Sequence, residues 1–259
     1  MTTDSQQLSQ GYVKTIIHNK IATIEFFHPQ SNSLPGQLLD DLADAITSAG
    51  NNDEVRVIVL RSAGEKAFCA GASFNELAAI ETEEQGRLFF SGFAKVINAM
   101  RKAPKFIIAR IHGKCVGGGV GLAAAADYAI ATERADIKLS ELAIGIGPFV
   151  IGPAVERKIG LSAYSQLSID ASQWYTASWA KEKGLFAESH STVENLETSV
   201  ETLSKTLSFY NPDAMAEMKA VFWQGTGNWD ELLSKRAVIS GKLVISSFTK
   251  EAIARFKAK

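Results

Sequence analysis

The sequence has few of the residues that cross-link a protein or bind metal. Its 259 residues include two cysteines, Cys69 and Cys115, and four histidines. Two isolated cysteines make neither a disulfide framework nor a zinc spacing, so a reduced, cytoplasmic setting is the simplest expectation. His18, His28, His112 and His190 lie far apart and form no H-x-x-x-H pair, and no metal site is expected. Neither sign of charge is in excess. The formal net charge of −1 removes the electrostatic case for nucleic acid or an anionic membrane surface as a partner. Long apolar runs are missing too. The longest small-apolar stretch, Val116–Ala126, is too short and too rich in glycine to span a bilayer. Met1–Gln10 is polar and lacks the apolar centre of a signal peptide. There is no internal repeat, low-complexity tract or long linker.

What is present is an ordinary globular composition, 46% hydrophobic and 21% charged, on a chain long enough to bury a sizeable core. Val13–His18 and Ile21–Phe27 are rich in Ile, Thr and Val and flank Asn19-Lys20, which predicts a hairpin. Pro29–Pro35 reads as a loop, with Pro35 opening a helix whose apolar residues Leu38, Leu42, Ala45 and Ile46 recur at helical spacing. Val55–Arg61, Lys105–Ile111, Tyr128–Thr132 and Ile137–Leu139 read as strands. Helices are expected among them at Ser73–Ala79, Glu83–Arg101 and Gly118–Ala126. From about Ala154 the pattern is helical almost throughout, beginning with Ala154–Lys158 and Ser162–Ser168, and only Leu185–Glu188 looks extended. The fold class is therefore α/β with a helical carboxy-terminal region. Helices with an apolar face and no sheet beneath them must pack on one another or on a partner subunit, so self-association is expected.

Two loops of small residues carry the chemical signal. Ala67-Phe68-Cys69-Ala70-Gly71-Ala72-Ser73 follows the strand at Val55–Arg61, and Val116-Gly117-Gly118-Gly119-Val120-Gly121 follows the strand at Lys105–Ile111. Such loops let backbone N–H groups approach a ligand, because no side chain stands in the way. A helix start adds unpaired N–H groups and partial positive charge, which suits an oxyanion or a phosphate. Two N–H groups from separate loops aimed at one point form an oxyanion hole. The bland alternative is a pair of tight turns with close strand–helix packing. A second alternative is the loose G-x-G-x-x-A dinucleotide pattern at Gly119–Ala124, with Glu141 as the ribose acid. Glu141 lies well beyond the strand where that acid belongs. A P-loop is excluded, because Lys114 precedes the glycines.

Taken in order, the motifs resemble those of the crotonase family, the enoyl-CoA hydratase/isomerase superfamily. They are Pro29 with Asn32-Ser33-Leu34, then Lys66–Phe74, then His112-Gly113 with Val116–Gly119, then Leu139–Leu142 with Gly145 and Pro148. The resemblance implies a spiral of β-β-α units over residues 1–195, holding an acyl-CoA site, and a helical trimerisation region over 196–259. Trimers of this kind often pair into hexamers. It implies that the N–H groups of Ala72 and Gly118 hold the thioester oxygen of an acyl-CoA substrate. Ala70, Ser73, Phe74 and Asn75, with Gly117 and Gly121, would line the thioester and the CoA arm. Glu141 would be the catalytic acid/base, and no cofactor beyond the CoA of the substrate is implied. Phe149 is a candidate for the acyl pocket. Lys257 and Lys259 are candidates for the CoA phosphates of a neighbouring subunit, against a solvated tail. Glu76 reads as a solvated face, Asp127 as a turn or cap, and Phe222, Trp223 and Trp229 as helix packing.

The departures from the family pattern matter most. Hydratases of this family usually place a second glutamate where this chain has Gly121, and the first loop usually has Asp where this chain has Ser73. One carboxylate suffices to move a proton from C2 to C4 of a 3-enoyl-CoA, so double-bond isomerisation is the mild preference. Hydration with a single glutamate, decarboxylation or retro-aldol cleavage, and an acyl-CoA-binding role without catalysis remain alternatives.

Overall fold

After an opening hairpin, successive strand–strand–helix segments each give one strand to a large sheet and one to a small sheet. This repetition builds the α/β spiral that the sequence motifs imply. The structure, a computed structural model, describes residues 10–257, without the side chains of 256 and 257. The hairpin comes first: β1 (Tyr12–His18) pairs antiparallel with β2 (Ile21–Phe27). Asn19 and Lys20 both have positive φ, 49° and 66°, as a two-residue hairpin loop requires. Along β2, Ala22, Ile24 and Phe26 are buried and alternate with partly exposed residues, the mark of a strand covered on one face. Helix α1 (Gly36–Asn51) buries Leu38, Leu39, Leu42 and Ile46. Pro35 caps this helix in extended geometry, with ψ 160°, instead of occupying its first turn.

The repeating units follow. β3 (Val57–Ser62), β5 (Phe106–Ile111), β7 (Tyr128–Thr132) and β9 (Glu188–His190) extend the large sheet in parallel, in the order β1-β2-β3-β5-β7-β9. The intervening β4 (Ala67–Cys69), β6 (Lys114–Val116) and β8 (Ile137–Lys138) form the small parallel sheet. Helices α2 (Phe74–Ala78), α3 (Glu83–Lys102), α4 (Gly118–Ala125) and α5 (Gly152–Ile169) close the units. Both small-residue loops leave the small sheet from neighbouring strands, β4 and β6, and so start side by side. The two helices expected at Ala154–Lys158 and Ser162–Ser168 are the two halves of α5. The run is broken only at Gly160, whose φ is 78°. The expected strand at Leu185–Glu188 is displaced to β9.

The remaining helices are α6 (Ala177–Glu182), α7 (Val193–Ser208), α8 (Pro212–Phe222), α9 (Trp229–Val244) and α10 (Ser247–Lys257). The boundary expected between residues 195 and 196 falls inside α7. That helix lays Leu196 and Val200 on Val57, Val59, Ile108 and Ile130 of the large sheet, so the helical region is not set apart there. Asp127 has the structural use expected of it. Its carboxylate accepts the Ile107 N–H at 2.8 Å and the Trp223 indole N–H at 3.0 Å, and it sits 2.9 Å from the buried Lys219 ammonium. Trp223 in turn meets Trp229 edge to face, with ring centroids 5.7 Å apart. α9 crosses α3 at two glycines; a Cβ on Gly86 would lie 2.7 Å from the Gly241 Cα. No helix among the described residues is long and apolar enough to cross a membrane.

Candidate active site

The first loop is held in place by the strap at residues 28–35. Asn32 sits in the left-handed region at φ 57°, a conformation asparagine tolerates. Its side chain donates to the carbonyls of Ala63 and Ala67 at 2.8 and 2.9 Å, and accepts the His28 N–H at 2.8 Å. Leu34 then bonds the loop itself. Its N–H donates to Gly71 O at 2.8 Å, and its carbonyl accepts the Ser73 N–H at 3.0 Å. These bonds fall on either side of Ala72, and the Ala72 N–H makes none of them. The loop turns at Gly71, φ 92°, a backbone conformation that favours glycine. The Cys69 thiol beside it is fully buried, which pushes its pKa up to about 12 and keeps it neutral.

The second loop delivers its amide differently. Gly117 caps α4 with φ 51° and ψ −115°, and its N–H is used on Lys138 O at 2.9 Å. Gly118 is the first residue of α4, where an amide has no carbonyl a turn behind it within the helix. The two loops lie in contact; a Cβ on Gly71 would be 3.6 Å from the Gly118 nitrogen. Gly118 itself has no room for a side chain, because the Phe93 ring of α3 fills that space.

Glu141 reaches this place from the third unit. Its main chain starts a 3-10 turn, Leu142–Ile144, ended by Gly145 in the left-handed region. The Glu141 carbonyl accepts from the Ile144 and Ile146 amides at 3.2 and 3.0 Å. The side chain packs on bare backbone, and a Cβ on Gly117 would come 2.9 Å from Glu141 Oε1. Although the residue is only partly buried, Oε2 is shut off from solvent and has no hydrogen-bond partner among the described residues. Desolvation pushes the Glu141 pKa up from 4.5 to about 7, opposed by its own backbone N–H. A carboxyl of this kind exchanges protons near neutral pH.

These groups border one cavity of about 550 Å³, whose lining includes Ala70, Ala72, Phe74, Asn75, Gly117 and Gly118. Glu141 is the only acid or base among the described residues that line it. Phe149 is at the wall, as the sequence suggests. Two of the expected contact residues are not. Ser73 is buried and turned to its own helix, its Oγ accepting the Glu76 N–H at 3.3 Å. Gly121 is covered by Ile151; a Cβ there would lie 2.5 Å from Ile151 Cγ2. Ile151, which does line the cavity, therefore occupies the space a side chain at 121 would need. Glu76 is exposed, as expected, and accepts the Gly36 N–H at 2.9 Å. His112 is not at the cavity. Burial, and then Arg110, Arg61 and Arg134, lower its pKa to about 4, so it is a neutral core residue. The Lys257 side chain and Lys259 lie outside the described residues.

Sequence reading missed the apolar wall: Phe89, Phe90 and Phe93 from α3, with Ile146 and Ile151. The phenylalanine spacing in α3 was a usable signal, since Phe93 lies four residues from Phe89 and three from Phe90, and positions three and four apart share a helix face.

A cavity bordered by a free loop amide, a helix-start amide and one desolvated carboxyl is suited to thioester enolate chemistry, and the sequence agrees. The chain belongs to the enoyl-CoA hydratase/isomerase family, which it matches over residues 16–255. It is 31% identical over 191 residues to a short-chain-enoyl-CoA hydratase of Clostridium acetobutylicum, covering 73% of this chain and 72% of that one. It is 29% identical over 205 residues to a peroxisomal Δ(3,5)-Δ(2,4)-dienoyl-CoA isomerase of Arabidopsis thaliana, covering 73% and 72%. An enoyl-CoA hydratase structure from Bacillus halodurans shares the fold, with a TM-score of 0.86 over 94% of this chain and 99% of that one, at 23% identity.

Proposed function

We propose that this protein is an enoyl-CoA isomerase that works with a single carboxylate. The Ala72 and Gly118 N–H groups hold the thioester oxygen. Ionised Glu141 takes a proton from C2 of a 3-enoyl-CoA, and the electron pair moves through the conjugated system onto that oxygen as a dienolate. Glu141 then returns the proton at C4, giving the 2-enoyl-CoA and the free carboxylate. The observation that carries this reading is the solitary Glu141, desolvated and beside Gly117, facing a wall where Ile151 fills the space next to Gly121. Isomerisation needs one proton carrier and no water. Hydration needs a held water, and the apolar Ile151 offers it no hydrogen bond.

Hydration by Glu141 alone is the second reading, favoured by the hydratase names among the relatives. Product analysis separates the two. Given 3-enoyl- and 2-enoyl-CoA separately, the enzyme is expected to convert the first to the second with little 3-hydroxyacyl-CoA. Rapid 3-hydroxyacyl-CoA formation would replace isomerisation by hydration. No turnover of either would favour decarboxylation or binding without catalysis.

The pH profile follows from the same carboxyl. The base form is the ionised one, so kcat/KM for isomerisation is expected to rise along one limb with a midpoint of about 7 and then level off. A midpoint near 4.5 would show that Glu141 is not desolvated in the working enzyme.

Self-association as a trimer or hexamer, a cytoplasmic setting and the absence of any cofactor besides the substrate's CoA belong to this proposal. Exposed apolar side chains on the helical region, including Ile169, Phe209 and Phe222, support the first of these.

A further inference from the structure

The close crossing of α3 and α9 at Gly86 and Gly241 brings the residue before Gly241, Ser240, into the cavity wall. There it joins Phe89, Phe90 and Phe93 of α3. The cavity's other polar residues lie on or beside the loops that carry Ala72, Gly118 and Glu141. Ser240 alone comes from the helical wall. It is 1% exposed, and its Oγ has no hydrogen-bond partner among the described residues.

Among the described residues one other buried hydroxyl lacks a partner, that of Ser62 on β3, which does not line the cavity. Four hydroxyls inside helices here return to the carbonyl one turn back: Thr47 to Ala43 O at 2.8 Å, Ser91 to Arg87 O at 2.7 Å, Ser168 to Tyr164 O at 2.8 Å, and Thr198 to Glu194 O at 2.9 Å. Ser240 makes no such bond to Arg236 O. A buried hydroxyl without a partner is destabilising, and alanine would fill the same place without that cost.

We propose that Ser240 is a specificity residue whose hydroxyl bonds an oxygen carried on the acyl group. The substrate class is then an acyl-CoA that is apolar over most of its acyl length and bears a carbonyl or hydroxyl beyond the reacting carbons. This rests on the acyl-CoA reading above. Glu141 is already committed to proton transfer, and the other polar residues lie on or beside the loops, so Ser240 is the polar group that the helical wall offers the acyl chain. A site built to hydrogen-bond an oxygen discriminates strongly against the analogue that lacks it, because its own polar group is then left unpaired.

Saturated thioesters, which are not turned over, test this by binding alone. Calorimetry would compare a plain acyl-CoA with analogues carrying one oxo or hydroxyl group at successive positions, on the wild type and on Ser240→Ala. The wild type is expected to bind one oxygenated analogue at least about tenfold more tightly than its parent. In Ser240→Ala that ratio should fall close to one, with the plain thioester bound as well as before and the melting temperature unchanged or higher. No preference at any position in the wild type would overturn the proposal, as would a preference that survives Ser240→Ala. If neither the thioesters nor CoA bind, it is the acyl-CoA reading itself that fails.

Discussion

Glu141→Gln is expected to lower isomerase turnover by about 10²–10⁴-fold, the usual contribution of a positioned acid/base, while a saturated acyl-CoA still binds. The same substitution is expected to stabilise the fold at alkaline pH. Glu141 has its pKa raised in the folded protein, from 4.5 to about 7. The folded state therefore keeps its proton at a pH where the unfolded chain has released it. Below about pH 4.5 both states are protonated and the carboxyl makes no difference. As pH rises to about 7 and beyond, the folded protein bears an increasing cost of ionising a desolvated group, reaching about 3 kcal/mol. Glutamine bears none of it. Denaturant melts of both proteins at pH 8 and pH 4 would check this: the variant should be the more stable at pH 8, and the difference should vanish at pH 4. Full turnover in Glu141→Gln would remove the residue from the chemistry. Equal stability at both pH values would mean that solvent reaches the carboxyl.

The sequence makes some parts of this site legible and hides others for a physical reason. Loop amides are legible because the need for bare backbone restricts the residues allowed, and Ala70-Gly71-Ala72 and Gly117-Gly118-Gly119 display that restriction directly. Glu141 is legible through the match of its flanking residues to the family, since a lone glutamate reads as surface. The strands of the large sheet are legible because parallel strands covered on both faces appear as continuous apolar runs; β5 is buried along its whole length.

What fails to show is distance. Ile151 meets Gly121, Phe93 meets Gly118 and Ser240 reaches the cavity across chain separations that only packing closes. Gly121 therefore reads in the sequence as a substrate-contact residue, although in the fold its face is covered. The break at Gly160 is legible by contrast, because it is local: its φ of 78° kinks α5 between the two segments expected at Ala154–Lys158 and Ser162–Ser168.

Gly118→Ala is expected to lower kcat by about 10²–10³-fold, the cost of losing one oxyanion donor, even though the variant keeps its main-chain N–H. The reason is steric. Phe93 lies directly where a methyl group at 118 would go, and its ring forms part of the cavity wall, so with an acyl group bound there it has little free space into which to move. The helix start must then shift, and the amide shifts with it. Electrostatic stabilisation of an enolate depends on donors placed about 2.7–3.1 Å from the developing oxyanion, so a small displacement removes most of the benefit. Phe93→Ala provides the control. If displacement is the cause, the double variant should recover part of the turnover lost by Gly118→Ala, beyond what Phe93→Ala does alone, giving a favourable coupling in the double-mutant cycle. If Gly118→Ala turns over like the wild type, the amide at 118 is not holding charge in the transition state. The thioester oxygen would then have to be held without it. If the single variant is inactive and Phe93→Ala restores nothing, the ring is not what displaces the amide, and the steric argument fails.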